Sequence, residues 1–372
     1  VAVTHARSTY KELSDNILSD IDREDELAKL SIEDIILWIL RAEERICQLS
    51  VVNEEYRLRY SSDVTDYTLQ DRPPITGVSV TGAPITLTVV AHGLAVDDVI
   101  FSRDVQGAIA ANGRFQVATV PGVDSFTIVR FGRITGISDA DEPVITIRDH
   151  PFVTGDSVTI ADVLGATEVN GTWTATKIDK DTFSVDILGA TRNAYTGEGD
   201  ATAPATNTTT YDGGGRLWKE DEVPTSVGTL KDSSINDNGY IREVRATDFI
   251  DLERNRFGIV DYTYTYPVRM ALGYKNGAKY LKIDPQTSAD GDLDLLYTME
   301  VIARNFYGDT QDMTILLPSE HDGAIMEFVK SKIYAGTLRD PKMAAFHMDE
   351  FEGRCADYNL RQPTPRMKMV YR

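Results

Sequence analysis

Apolar residues recur at helical spacing at both ends of this chain and at strand spacing through the middle. Thr9 followed by Glu12 sets up a capping box, and Tyr10, Leu13, Ile17 and Ile21 then share one helical face. Ser31 with Asp34 gives a second start signal. It precedes Ile32, Ile35, Ile36, Ile39, Ala42, Ile46 and Leu49, a stripe that predicts a helix of about five turns. From Glu55 the period drops to two: Tyr56, Leu58 and Tyr60 alternate with Glu55, Arg57 and Arg59, as a strand with one wet face requires. This region ends near Asp66-Tyr67-Thr68-Leu69.

Pro73-Pro74 marks a boundary, after which helical periodicity is lost for about 130 residues rich in Thr, Val, Ile, Gly and Asp. This stretch repeats itself. Ile75-Thr76-Gly77-Val78, Pro84-Ile85-Thr86-Leu87, His92-Gly93-Leu94, Asp98, Asn112-Gly113-Arg114-Phe115 and Asp124-Ser125-Phe126-Thr127 return as Ile134-Thr135-Gly136-Ile137, Pro143-Val144-Ile145-Thr146, His150-Pro151-Phe152, Asp156, Asn170-Gly171-Thr172-Trp173 and Asp181-Thr182-Phe183-Ser184. The offset stays near roughly 58 residues, which predicts two tandem copies of a small β-barrel or sandwich. From Tyr195 to Gly215 large apolar residues are scarce, and Asn207-Thr208-Thr209-Thr210 with Gly213-Gly214-Gly215 read as a linker that returns the chain to the first domain.

Residues from Leu217 to Leu317 read as a second β region, with Tyr262, Tyr264 and Tyr266 in alternation and Tyr280-Leu281-Lys282-Ile283 before Asp284-Pro285. Two helices follow. Pro318-Ser319 with Asp322 starts one carrying Ile325, Phe328, Val329 and Ile333, and Asp340-Pro341 starts another carrying Ala344, Met348, Phe351, Cys355 and Tyr358. The expected fold is α+β: residues 1–72 and 205–372 form one discontinuous domain, a helical bundle from both termini with a β region. Two all-β modules, 73–133 and 134–204, are inserted in it where an insertion costs little.

The net charge of −20 argues against wrapping duplex DNA, which needs a basic stripe, although an acidic channel wall would let DNA pass without sticking. No apolar run is long enough to cross a bilayer, and no basic patch precedes an apolar stretch at the N-terminus, so neither membrane insertion nor a signal peptide is expected. Cys47 and Cys355 are too few for a disulfide framework or a zinc site and read as buried apolar residues. No nucleophile elbow, phosphate loop, dinucleotide fingerprint or metal-binding His pair is present, so no catalytic residue, cofactor or metal is expected.

His92 and His150 occupy equivalent places in the repeat. They are either bases paired with Asp98 and Asp156 or, the favoured reading, imidazoles that fix a turn through backbone hydrogen bonds. The Gly213-Gly214-Gly215 run lacks the Lys and helix start of a phosphate cradle. The acids Asp22, Glu24, Asp25 and Glu26, and Asp290 with Asp292 and Asp294, read as solvated turns rather than calcium loops. The tail departs from the acidic average: Arg354, Arg361, Arg366, Lys368 and Arg372 stand with Pro363, Pro365, Met367, Met369 and Tyr371, a basic and partly apolar strip suited to docking on a partner.

Tyr10-Lys11-Glu12-Leu13, the Ile32–Leu49 helix, Asp66-Tyr67-Thr68-Leu69, Leu281-Lys282-Ile283-Asp284-Pro285 and Leu316-Leu317-Pro318, taken in that order, resemble the head-to-tail adaptor, or connector, proteins of tailed bacteriophages. Gln70 departs from that pattern, standing where related chains often have proline. The resemblance implies a non-enzymatic virion protein at the head-tail junction, assembled in the host cytoplasm as a homo-oligomeric ring, a dodecamer in the usual case. Its partners would be the portal, met by the strip Arg361, Pro363, Pro365, Arg366, Met367, Lys368, Met369, Tyr371 and Arg372, and a distal tail or neck protein, with fibres possible on the inserted modules. Neighbouring subunits would pack through Ile35, Trp38, Ile39, Phe328 and Phe351, and genomic DNA would pass through the channel unbound. Two other functions compete. A carbohydrate-binding or adhesive protein would stack sugars on Phe152, Trp173 and Tyr195, and a hydrolase would use paired acids between Asp248 and Asp261.

Overall fold

The structure, a computed structural model, describes residues 8–21, 30–62, 64–79, 84–187, 193–237, 240–250, 252, 266–275, 278–284, 286–300 and 315–361. The chain opens with helices α1 (Tyr10–Ser19) and α2 (Ile32–Leu49) and strands β1 (Asn53–Tyr60) and β2 (Asp66–Thr68). There follow β3 (Gly77–Val78), β4 (Ile85–Thr88), β5 (Val99–Arg103), β6 (Gly113–Gly122), β7 (Ser125–Arg133), β8 (Gly136–Ile137), β9 (Val144–Thr146), β10 (Ser157–Ala161), β11 (Gly171–Lys177) and β12 (Thr182–Val185). Next come β13 (Asp200–Pro204), β14 (Arg216–Lys219), β15 (Val227–Asp237), β16 (Tyr240–Ala246), β17 (Arg269–Lys275), β18 (Ala278–Asp284) and β19 (Gly291–Met299). Helices α3 (Asp322–Gly336) and α4 (Pro341–Arg361) close the described chain.

The molecule is mixed α and β, with sheet predominating. Helices are few, so a helical bundle with an attached β region overstates their share: a seven-stranded sheet makes up much of the same unit. Two compact units divide the chain. One holds residues 1–70, 223–236 and 241–372, and the other holds 71–222 with 237–240. The expected return to the first domain at residue 205 is therefore moved to residue 223.

In the first unit the strand order is β1-β19-β15-β16-β17-β18-β2; β16 and β17 run parallel, while the β1–β19, β19–β15, β17–β18 and β18–β2 ladders are antiparallel. Three of the four helices begin where the sequence places their caps; α3 instead begins at Asp322, after a 3-10 turn over Ser319–His321 and with no side-chain cap bond. Thr9 accepts from Glu12 N at 3.1 Å while Glu12 accepts from Thr9 N at 2.8 Å, Ser31 accepts from Asp34 N at 3.2 Å, and Asp340 accepts from Lys342 N and Met343 N, each at 3.1 Å. Helix α3 packs on α2 and α4, and α1 touches both α2 and α3. The chain leaves this unit and returns to it side by side: Leu69 and Val223 form a parallel bridge, and Gln70 N donates to Val223 O at 2.9 Å.

The second unit holds both copies of the repeat, but they are nested rather than tandem. Copy two is continuous: Ile134 N donates to Gly199 O at 2.8 Å, Tyr195 Oη donates to Ile134 O and Glu198 O, both at 2.9 Å, and β13 pairs with β10. Copy one makes the same closure with residues that lie beyond copy two. Ile75 N donates to Gly215 O at 3.0 Å, Tyr211 Oη donates to Ile75 O at 2.7 Å and Gly214 O at 2.8 Å, and β14 pairs with β5. The glycines match as well. A Cβ on Gly107 would stand 2.1 Å from Thr210 O and one on Gly165 2.1 Å from Ala194 O, both at positive φ, +68° and +83°.

The segment read as a linker thus closes both modules, its start the second and its end the first. Its apolar content is low, yet Ala201 and Ala203 are buried in the second core and Ala205 in the first, where Leu217 just beyond it joins Ile85, Ile100, Phe115, Phe126 and Ile128 and Tyr211 packs against them. The second core gathers Ile145, Phe152, Val158, Ile160, Phe183 and Val185. Because β13 pairs with β7 of the first module on one side and β10 of the second on the other, one strand order runs through both. Arg133 faces Asp200 across that β7–β13 ladder, where the second module leaves and returns. Replacing residues 134–199 by Asn-Gly should therefore close β7 and β13 into an ordinary hairpin and leave the first module folded. A cooperative thermal melt by circular dichroism is the expected outcome; a featureless one would contradict nesting.

Candidate functional site

His92 and His150 both lie buried and both hold turns. Leu94 N donates to Nδ1 of His92 at 2.9 Å while Nε2 faces Gly122 O at 3.2 Å, so Nδ1 serves as acceptor and Nε2 as donor in holding the turn. His150 repeats this, with Phe152 N donating to Nδ1 at 3.3 Å and Nε2 lying 3.1 Å from both Asp179 O and Thr182 O. Burial holds the His150 pKa below its usual value, against backbone hydrogen bonds that favour the cation. Asp98 and Asp156, the acids considered as their partners, bond elsewhere. Asp98 accepts from Ala95 N at 2.8 Å and pairs with Lys219 at 2.9 Å. Asp156 accepts from Val153 N at 2.7 Å and takes Arg130 bidentately at 2.7 and 2.8 Å.

Arg130 on β7 ties the second module to the first, and Arg133 on the same strand ties β7 to the segment that closes the first module. Arg130 also donates to Pro204 O at 3.0 Å and to Pro151 O at 3.3 Å. Arg133 grips Glu220 through both carboxylate oxygens at 2.6 and 2.5 Å, and Arg114 adds a third bond at 2.6 Å. Both guanidinium groups lie over Phe131, each 5.2 Å from its centroid. Burial by itself would raise the Glu220 pKa; the two arginines more than offset this and lower it. Neighbouring Asp200 goes the other way, raised chiefly by burial. At the base of the unit Arg72 grips Glu222 at 2.8 and 2.6 Å and also donates to His92 O. Arg72 lies just past the departure point and Glu222 just before the return, so the ion pair clasps the stem of the insertion.

In the first unit Glu43, on α2, is a fully buried carboxylate. Tyr10 Oη donates to its Oε2 at 2.7 Å, and Leu316 N and Leu317 N donate to its Oε1 at 2.6 and 3.3 Å. One side chain therefore joins α1, α2 and the segment leading into α3. Near it, Ser8 Oγ donates to Asp322 Oδ2 at 2.5 Å and Ile315 N donates to Ser8 O at 2.9 Å. Burial, with Glu12 and Glu43 adding to it, pushes the half-buried Asp322 carboxyl up to about 6, against the Ser8 bond. A raised carboxyl pKa means that the folded state prefers the proton, so its stability falls as pH rises from the unfolded value of 3.8 through about 6. Asp322→Asn should then stabilise the protein by about 1–2 kcal/mol above pH 6, after allowance for solvent screening, with the gain vanishing below roughly pH 4. Paired thermal melts across that range check it.

The residues expected at subunit contacts fall mostly inside the chain. Ile35, Ile39, Phe328 and Phe351 are buried within this chain, where Phe328 and Phe351 meet edge to face at 5.1 Å, and Trp38 alone of the five is half-buried. An apolar stripe on a helix registers burial without saying whether the same chain supplies the cover. Of the aromatics offered for sugar stacking, Phe152 is fully buried, while Trp173 donates to Val169 O at 2.7 Å and Tyr195 is fixed through its hydroxyl.

The Asp290 cluster is not a solvated turn throughout: Asp292 and Asp294 sit on β19 opposite Arg59 and Arg57 of β1, at 3.4 and 3.1 Å. The strip Pro363 to Arg372, the acids Asp22, Glu24, Asp25 and Glu26, and Asp251, Glu253 and Asp261 of the hydrolase reading lie outside the described residues, and Arg361 is placed only as the last residue of α4. Among the described residues no cluster of three metal-ligating side chains occurs, and no helix is long and apolar enough to cross a membrane. Sequence reasoning missed Glu43, Arg130, Arg133 and Glu220. For Glu43 a signal existed, an acid flanked by Ala42 and Ile46 on the apolar stripe.

No family model matches the sequence, and no curated protein matches it. Among solved structures the chain is similar to the endosialidase of phage phi92, with 14% identity and a TM-score of 0.21, over 68% of this chain and 48% of that one. The chain thus spans about half the length of that protein, and a likeness this weak determines neither fold nor activity.

Proposed function

We propose that the chain is a non-enzymatic structural subunit of a tailed-phage particle, an adaptor that assembles as a ring between portal and tail. The observation that supports it is the way the motifs carrying the adaptor resemblance come together. Tyr10 and Leu316-Leu317 meet on Glu43 of the Ile32–Leu49 helix, and Asp66-Tyr67-Thr68 pairs with Tyr280-Leu281-Lys282. Segments hundreds of residues apart in sequence thus belong to one body, with the helices of both termini as its packed helical part. The nested β-modules leave it through a clasped stem, as a decoration or a platform for fibres would. The acidic surface lets DNA pass a channel without binding.

In this reading the ring bonds portal through the basic strip that ends at Arg372 and meets a distal neck or tail protein on its other side. Negative-stain imaging of the purified protein, alone and mixed with portal, tests it. Closed rings that cap portal are expected; a protein that stays a single subunit at high concentration with portal present sinks the proposal. The sugar-binding alternative has less behind it, since Phe152 offers no open face.

A further inference from the structure

Helix α4 buries one side only. Phe351 and Cys355 are buried, and Ala344, Met348 and Tyr358 are half-buried beside them. The opposite side carries Phe346, Glu350, Gly353, Asp357 and Leu360 at successive three- and four-residue steps, with Met343 at its flank, and every one of these is exposed. Phe346 is 53% exposed and Leu360 84%. A Cβ on Gly353 would meet nothing within 4 Å, so the stripe has a shallow dip at its middle. The stripe is apolar toward both ends and acidic between.

A second α4 laid antiparallel across Gly353 would set Glu350 against Asp357, like charge on like, which disfavours that occupant. The residues that follow α4 have the opposite character. Arg366, Lys368 and Arg372 bring three positive charges and no acid, and Met367, Met369, Val370 and Tyr371 bring apolar surface. Reach permits the match. Phe346 lies about 22 Å back along the helix from Arg361 at 1.5 Å per residue, and residues 362–372 can span up to about 36 Å.

We infer that the outer face of α4 is the docking surface for the C-terminal segment 362–372 of the same chain, with Arg366 and Lys368 meeting Glu350 and Asp357 and the Met and Tyr side chains covering Phe346. Tethering favours the segment over any free partner through its high effective concentration. The inference goes beyond the adaptor reading and does not rest on it. If both hold, docking conceals the strip until a stronger acceptor displaces it.

Hydrogen–deuterium exchange on full-length variants tests the inference. In wild type at low salt, the 362–372 amides should exchange roughly tenfold more slowly than in the double variant Glu350→Lys with Asp357→Lys, and in Phe346→Ser. Adding Arg366→Glu and Lys368→Glu to the first of these should restore the slowing, because the charges are then exchanged rather than removed. The slowing should fade with added salt and stay constant on dilution. Fast exchange in wild type, slowing indifferent to all these substitutions, or slowing lost on dilution would each overturn the inference. Ring formation and portal binding are scored separately, so failure of either leaves this result readable.

Discussion

Excising residues 71–222 and joining Gln70 to Val223 through a short Gly-Ser linker yields a soluble protein that unfolds cooperatively near the temperature of the parent's first unit. The joined ends already touch through the bond from Gln70 N to Val223 O at 2.9 Å, so the linker closes a gap rather than a loop. Cutting at 74 and 204 instead leaves residues 205–222 without their partners. Leu217 and Trp218, 1% and 4% exposed in the whole protein, would then face water, and their strand would lack β5. That product is expected to aggregate or to bind hydrophobic dye strongly. Gel filtration with thermal melting distinguishes the two deletions. Equal behaviour would mean that the closing piece of the first module is dispensable.

Glu43→Ala is expected to destabilise the first unit by about 3 kcal/mol, enough to move a denaturant midpoint plainly. The substitution leaves the Tyr10 hydroxyl and two amide groups, Leu316 N and Leu317 N, buried without their acceptor, and the cost of orphaned donors exceeds that of the lost bonds alone. Glu43→Gln keeps one acceptor oxygen and should cost less than half as much. Adding Tyr10→Phe to Glu43→Ala should recover part of the loss, since one orphan is removed with its partner. Chemical denaturation of wild type, Glu43→Ala, Glu43→Gln, Tyr10→Phe and the double variant measures this. Additive losses for Tyr10→Phe and Glu43→Ala would show that the pair is not coupled.

Much of the fold was legible because the periodicities are local. The capping box at Thr9, the start at Ser31 and the cap at Asp340 all stand where the sequence places them, and the β-modules follow the repeat residue by residue. Closure was not legible. Residues 194–199 and 210–215 are equivalent, but a second copy intervenes between the first copy and its ending, and large apolar residues, the usual mark of structure, are sparse there. What reveals the equivalence is glycine spacing and one tyrosine, Tyr195 against Tyr211. The charged ties were hidden for another reason. Arg133 and Glu220 are 87 residues apart, and a charged residue in sequence reads as a surface residue until its partner is located. The apolar stripe on α2 was read correctly as buried, but its cover was assigned to another subunit when this chain's own helices supply it.

Nesting also determines the order in which the chain can mature on a ribosome. Everything the inner module needs has been synthesised once β13 emerges at Pro204, whereas the outer module waits for Lys219 and the scaffold for its last helices. Folding therefore runs from the inside outward, each layer sealed by a segment made after the layer within it is finished, and the N-terminal helices stay without their C-terminal partners longest of all.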